Sequence, residues 1–103
     1  MKGFFLSLRL GAVLLASACT SEYQPPAEAD GEAIFQAACA ECHTPLSDKT
    51  PEIYFALHPK NFNAGYISHK VYRGGLTMPK FPHIKGAKMR QLTEYVLSHS
   101  QKR

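Results

Sequence analysis

Five consecutive residues, Cys39-Ala40-Glu41-Cys42-His43, constrain this chain more than any other stretch of it. Two thiols three positions apart and an adjacent imidazole have to face one object, so the fold must leave room for that object. Cys-x-x-Cys-His is the spacing at which two thiols add across the two vinyl groups of one haem while the imidazole reaches the iron from the same side. Other chemistries compete for the same residues. A redox dithiol belongs in a βαβ unit, and no such pattern surrounds it. A zinc ion needs one further ligand, for which His58, His69 and His83 are candidates, since no second Cys pair exists. A disulfide between residues this close closes a very small loop and stabilises little. The pattern points to one covalently attached haem c, with zinc the reading that stays open beside it.

The length, 103 residues, allows one small domain. An apolar share of 45% with 11% aromatics excludes a disordered chain, and 3 Cys cannot build a multi-disulfide scaffold. The formal charge of +4 is modest, and no stripe of Lys and Arg interleaved with aromatics appears, which excludes nucleic-acid binding as the leading reading.

The N-terminus reads as an export signal. Lys2 and Arg9 precede the apolar run Leu10-Gly11-Ala12-Val13-Leu14-Leu15-Ala16, and small residues Ser17 and Ala18 lead into Cys19. That run is well short of the ~20 residues a spanning helix needs. Residues 1–18 are therefore expected to be a signal peptide and the mature protein to be exported to the periplasm. Ala16-Ser17-Ala18 fits ordinary signal peptidase, whereas Leu14 to Cys19 resembles a bacterial lipobox, with Ala16 where that group usually has Leu. Lipid on Cys19 gives an otherwise exposed thiol a chemical use, so a lipid anchor to the membrane is the favoured form. Residues 19–29, polar and carrying Pro25-Pro26, read as a flexible tether, and residues 30–103 as the folded domain.

Within that domain the periodicities are helical. Asp30 is placed to cap a first helix with Ile34, Phe35, Ala38 and Cys42 on one face. Thr50, Pro51 and Glu52 open a short second helix through Ile53, Phe55 and Leu57. Asn61 or Asn63 caps a third, with Tyr66, Ile67, Lys70 and Val71 at helical spacing until Gly74-Gly75. From Gly86, the residues Met89, Leu92, Tyr95, Val96 and His99 form the longest amphipathic stripe. So short a domain lacks a comfortable core of its own, and a buried porphyrin supplies the missing apolar surface.

Met78 stands apart from these stripes. It lies in Gly74-Gly75-Leu76-Thr77-Met78-Pro79, a glycine-rich loop able to approach a porphyrin, whereas Met89 fits a helix core. A thioether ligand favours ferrous iron and raises the potential relative to a second imidazole, which His69 or His83 would supply instead. Arg73, Tyr54, Tyr66 and Tyr72 are candidates to bond the haem propionates.

These residues together resemble the class I c-type cytochromes, particularly the small single-haem electron carriers of bacteria. Gly31 and Phe35 ahead of Cys39-x-x-Cys42-His43, a late Met78-Pro79, and Leu92 and Tyr95 in a terminal helix match that family in type and order. The resemblance implies an all-α fold, three to five helices around one covalent haem, with His43 and Met78 as axial ligands and the first and last helices crossing through Gly31, Phe35, Leu92 and Tyr95. It also implies a Pro whose carbonyl orients the proximal imidazole, here assigned to Pro51. The implied function is single-electron transfer with redox partner proteins, alone or as a subunit of a larger oxidoreductase, and no catalysis on a small-molecule substrate. A haem enzyme or gas sensor with an open sixth position is the alternative, disfavoured because residues 74–79 offer only Thr77 and backbone as polar groups.

Charge is unevenly distributed. Residues 19–59 hold seven acids against Lys49 alone, and residues 60–103 hold nine bases against Glu94 alone. Lys80, Lys85, Lys88 and Arg73 are expected to flank the haem edge and steer it to an acidic partner.

Overall fold

The structure, a computed structural model, describes residues 20–103; the expected signal peptide and the lipidated Cys19 lie outside the described residues. Helix formation begins at Asp30, whose extended backbone lets Oδ1 accept from the Ala33 N–H at 2.9 Å, opening α1 at Gly31–Ala38. The Cys39 and Ala40 N–H groups both donate to the Phe35 carbonyl, at 2.8 and 2.9 Å, and this closes the helix. The expected extension to Cys42 on the helix face is therefore corrected. Cys42 lies in the turn beyond, where its N–H and that of His43 both donate to the Cys39 carbonyl, at 3.1 and 2.9 Å.

The expected helix from Thr50 to Leu57 does not form either. Phe55–Leu57 is a strand, β1, paired in parallel with Ser100–Lys102, β2, so that Phe55 faces Ser100 and Leu57 faces Lys102. The described residues thus make three α-helices, within the expected three to five, with one short strand pair added to the helical fold. Two turns of helix propagate too little to offset nucleation. The chain emerging from the last helix instead offers this segment a ladder: the Tyr54 N–H donates to the His99 carbonyl at 2.8 Å and the Arg103 N–H to the Leu57 carbonyl at 3.0 Å.

The other two helices start and stop where the sequence places them. Asn63 Oδ1 accepts from the Tyr66 N–H at 2.8 Å to open α2 at Ala64–Arg73, and Gly74, at φ 69°, ends it. Gly86 precedes α3 at Ala87–Ser98. Helices α1 and α3 cross at Gly31, where a Cβ would run into the Gln91 carbonyl oxygen and stand 2.9 Å from Tyr95 Cβ. Beside that contact the Phe35 and Tyr95 rings lie 5.3 Å apart, which is the helix crossing the family resemblance implies. Phe35, Ile34, Ile84 and Leu92 are fully buried at the centre.

Residues 20–29 form no helix, as expected of a tether, and turn at residues 27–28, where the Ala29 N–H donates to the Pro26 carbonyl at 3.0 Å, but they are not free of the domain. Thr20 forms a parallel bridge with Lys80, the Ser21 N–H donates to the Lys80 carbonyl at 2.7 Å, and Ala29 is buried. Lys88 Nζ donates to the carbonyls of Ala27 and Ala29, at 2.8 and 2.5 Å. Among the described residues no helix is long and apolar enough to cross a membrane.

Candidate functional site

The turn after α1 sets three side chains at different depths. Cys39 is buried, Cys42 is exposed, and His43 is half-buried. Burial pushes the Cys39 thiol up to about 11, with the neighbouring Cys42 adding to it. Burial also holds the His43 imidazole below its ordinary value, which keeps a ring nitrogen lone pair free at neutral pH. Its ring packs against Phe55, with centroids 4.9 Å apart, so β1 is the element that supports it.

Opposite this turn stands the 74–80 loop. Gly74 reverses the chain with a positive φ, and a Cβ there would come within 2.6 Å of the Met78 carbonyl oxygen. The Gly75 N–H donates to that same oxygen at 2.9 Å, and the Phe81 N–H donates to the Val71 carbonyl at 3.0 Å. Phe81 is buried. The loop is thereby tied to the end of α2 on both sides, and Met78 is half-buried at its tip.

Two adjoining cavities lie between turn and loop. The larger, about 500 Å³, is lined by Ser21, Tyr23, Cys39, Cys42, His43, Met78 and their neighbours. The smaller, about 170 Å³, is walled by Phe35, Phe55, Leu57, Ile67, Val71, Leu92 and Val96, with Tyr66 and Lys70 at its edge. Cys39, His43 and Met78 line both cavities. Residues 26–96 match the family described as cytochrome C oxidase, cbb3-type, subunit III. The chain belongs to this family of class I c-type cytochromes. A search of curated proteins gave no match, and a search of solved structures gave none.

Membership brings haem-based electron transfer and a haem cofactor. The cytochrome domain's own residues fit such a group. The larger cavity lies in the range of small-molecule sites, roughly 300–1,000 Å³, and the thiols, the imidazole and the thioether gather around it on otherwise apolar walls. Among the described residues no three of His, Cys, Asp and Glu come together as a metal cage.

Other expected site residues fall elsewhere. Pro51 is exposed and lines neither cavity. Tyr72, 61% exposed, borders a separate open hollow on the far flank of α2 with His69, Lys85 and Met89. Arg73 is exposed at the end of α2 and also lines neither cavity. His83 Nε2 stands 4.0 Å from Glu22, His58 accepts from the Lys60 N–H at 3.1 Å, and His99 stacks on Tyr95 at 3.9 Å. His43 alone among the five histidines lines either cavity. Lys88, expected beside the haem edge, has its ammonium committed to residues 27–29.

Sequence reasoning missed Lys70 as a site residue, although it shares the helical face of Tyr66, Ile67 and Val71. It also missed Phe55, counted as helical, and Ser21 and Tyr23, counted as tether. For these last two the alternation of burial is the signal: Ser21, Tyr23 and Pro25 are half-buried between exposed Thr20, Glu22, Gln24 and Pro26.

Proposed function

We propose that this cytochrome carries single electrons through one haem c bound by thioethers at Cys39 and Cys42, with His43 and Met78 as its axial ligands. The observation that carries this reading is that Cys39, His43 and Met78 line both cavities. When bound, the haem supplies a one-electron ferrous–ferric couple. His43, kept neutral by burial, offers its lone pair, and Phe55 holds the ring in place. Met78 offers a soft thioether from a loop anchored at Gly75 and Phe81, so that little rearrangement accompanies a change of charge. The apolar wall of Phe35, Leu57, Ile67, Leu92 and Val96 excludes water, and Lys70, which lines the same cavity, joins Arg73 and Tyr72 as a residue that would bond the propionates.

Leu76, 99% exposed two positions before Met78, with Lys80 and Arg73 exposed on the same segment, makes a surface with an apolar centre and a basic rim. This surface suits an acidic redox partner, and the family name fits docking to, or membership of, a larger oxidase. Export to the periplasm and lipid on Cys19 complete the reading.

The test is the absorption spectrum of the purified holoprotein, ferric and then ferrous, followed by carbon monoxide. A far-red ferric band of Met ligation that disappears in Met78→Ala, with carbon monoxide binding only in the variant, is the expected result. A high-spin native spectrum, or rapid carbon monoxide binding by the parent, overturns it in favour of an enzyme or sensor. The intact mass of the same preparation reports the two thioethers and the lipid.

A further inference from the structure

We propose that residues 20–23 form a strap that belongs to the haem site: paired to Lys80, they hold the Met78 loop against the cleft, and Tyr23 closes the wall beside Cys39. This rests on the reading of Met78 as a ligand and adds to it the element that keeps Met78 in place. The strap lies outside the family match, which begins at residue 26, so it is a feature of this chain beyond the matched domain.

Three sets of observations meet here. The strap is joined to the loop by an isolated parallel bridge: Thr20 pairs with Lys80, the Ser21 N–H donates to the Lys80 carbonyl at 2.7 Å, and half-buried residues alternate with exposed ones. Its inward side chains enter the site, since Ser21 and Tyr23 line the larger cavity with Cys39, His43, Met78 and Pro79. It is fastened at its far end as well, where Lys88 Nζ reaches the Ala27 and Ala29 carbonyls and Ala29 is buried.

Position explains why this matters for Met78. The loop is fixed on its α2 side by the Gly75 and Phe81 hydrogen bonds, and Lys80 lies between Met78 and Phe81 with its carbonyl facing away to the strap. Among the described residues the Ser21 N–H is the backbone donor to that carbonyl, and without it the stretch from Leu76 to Lys80 keeps the Gly75 bond to Met78 as its backbone hydrogen bond to the rest of the described domain. A thioether is a weak ligand that leaves when its backbone moves, so the strap sets how often the iron is open. The three helices pack through Phe35, Ile67, Leu92 and Val96, and of the strap residues Tyr23 packs against that core, so an unfolding midpoint has to be read beside each rate.

The experiment measures the rate of carbon monoxide binding to ferrous holoprotein together with the far-red ferric band. Ser21→Pro removes the N–H that reaches Lys80, and Tyr23→Ala removes the wall. Each is expected to speed carbon monoxide binding, Ser21→Pro by about fivefold, the factor that one net hydrogen bond of about 1 kcal/mol sets on an opening equilibrium, and to weaken the far-red band. Ser21→Ala, which keeps the N–H, and Tyr23→Phe, which keeps the ring, are expected to stay near the parent rate. A purely structural role for residues 20–23 predicts a lower unfolding midpoint in all four variants with unchanged carbon monoxide rates, and that result overturns the strap. If Met78→Ala itself binds carbon monoxide no faster than the parent, the ligand reading fails first and the strap falls with it. A fast Met78→Ala beside slow Ser21→Pro and Tyr23→Ala overturns the strap alone.

Discussion

Lys70 is the cation best placed to act on the site. It lines the apolar cavity with Phe35, Ile67 and Met78, and a Cβ on Gly75 would stand 3.7 Å from its Nζ, which puts the ammonium near the root of the Met78 loop. A positive charge there disfavours ferric iron, so Lys70→Ala should lower the midpoint potential. An exposed pair contributes up to about 1 kcal/mol, equivalent to about 40 mV for one electron. Lys70→Arg should hold the parent value, and a potentiometric titration that finds Lys70→Ala unchanged removes Lys70 from the site. The reason Lys70 was passed over for Tyr72 and Arg73 is geometric. Helical spacing shows which residues share a face, but α2 has one flank on the cavity and another on an open hollow. Only the packing of Ile67 and Val71 into the core decides which is which. Cys39, Cys42 and His43 were legible because their chemistry is contained in five residues. Met78 was legible because it sits in a loop where core packing gives no account of it. Pro51, assigned only through the family resemblance, is exposed and lines neither cavity.

At the level of elements, local signals located what local forces decide. Asn63 and Gly74 bound α2, and Gly86 precedes α3, each through a cap or a positive φ written into the residue itself. The pairing of β1 with β2 joins residues 55–57 to 100–102, and nothing near Phe55 announces a partner at the far end of the chain. The basic start of α3 is the other case in which a distant contact decides. Lys88 and Arg90 both oppose the helix dipole, an effect of about 0.3–1 kcal/mol each. Lys88 also makes two charge-assisted hydrogen bonds to residues 27–29, which outweigh that repulsion even after half-exposure reduces them. Lys88→Ala should therefore destabilise the holoprotein by about 1 kcal/mol, while Arg90→Ala should raise stability by a few tenths of a kcal/mol. Guanidinium midpoints of the ferric protein compare the two, and opposite signs are the expected outcome. A rise in stability for Lys88→Ala would mean that the Lys88 clamp does not outweigh the dipole, and a fall for Arg90→Ala would remove the dipole account of that residue.

Charge is divided along the chain, with seven acids before residue 60 and nine bases from there on. The fold directs one part of that asymmetry to the site. Lys80 is exposed next to Pro79 in the Met78 loop and Leu76 projects beside it, whereas Glu22 on the strap is set against His83. A partner with an acidic surface is therefore drawn toward the Met78 side before any close contact forms, and steering of this kind raises association rates by roughly 10–10³ at low salt. The Debye length falls from about 30 Å at 0.01 M to about 10 Å at 0.1 M. Electron transfer to an acidic redox protein should consequently slow about tenfold or more over that range. Lys80→Glu should be slower than the parent at low salt and converge with it at high salt, since screening removes the charge difference but leaves Leu76 and the cleft intact. Stopped-flow rates across the salt series make the comparison. A flat profile for the parent would assign its basic half to ordinary solvation and leave Leu76 as the only recognition feature of that surface.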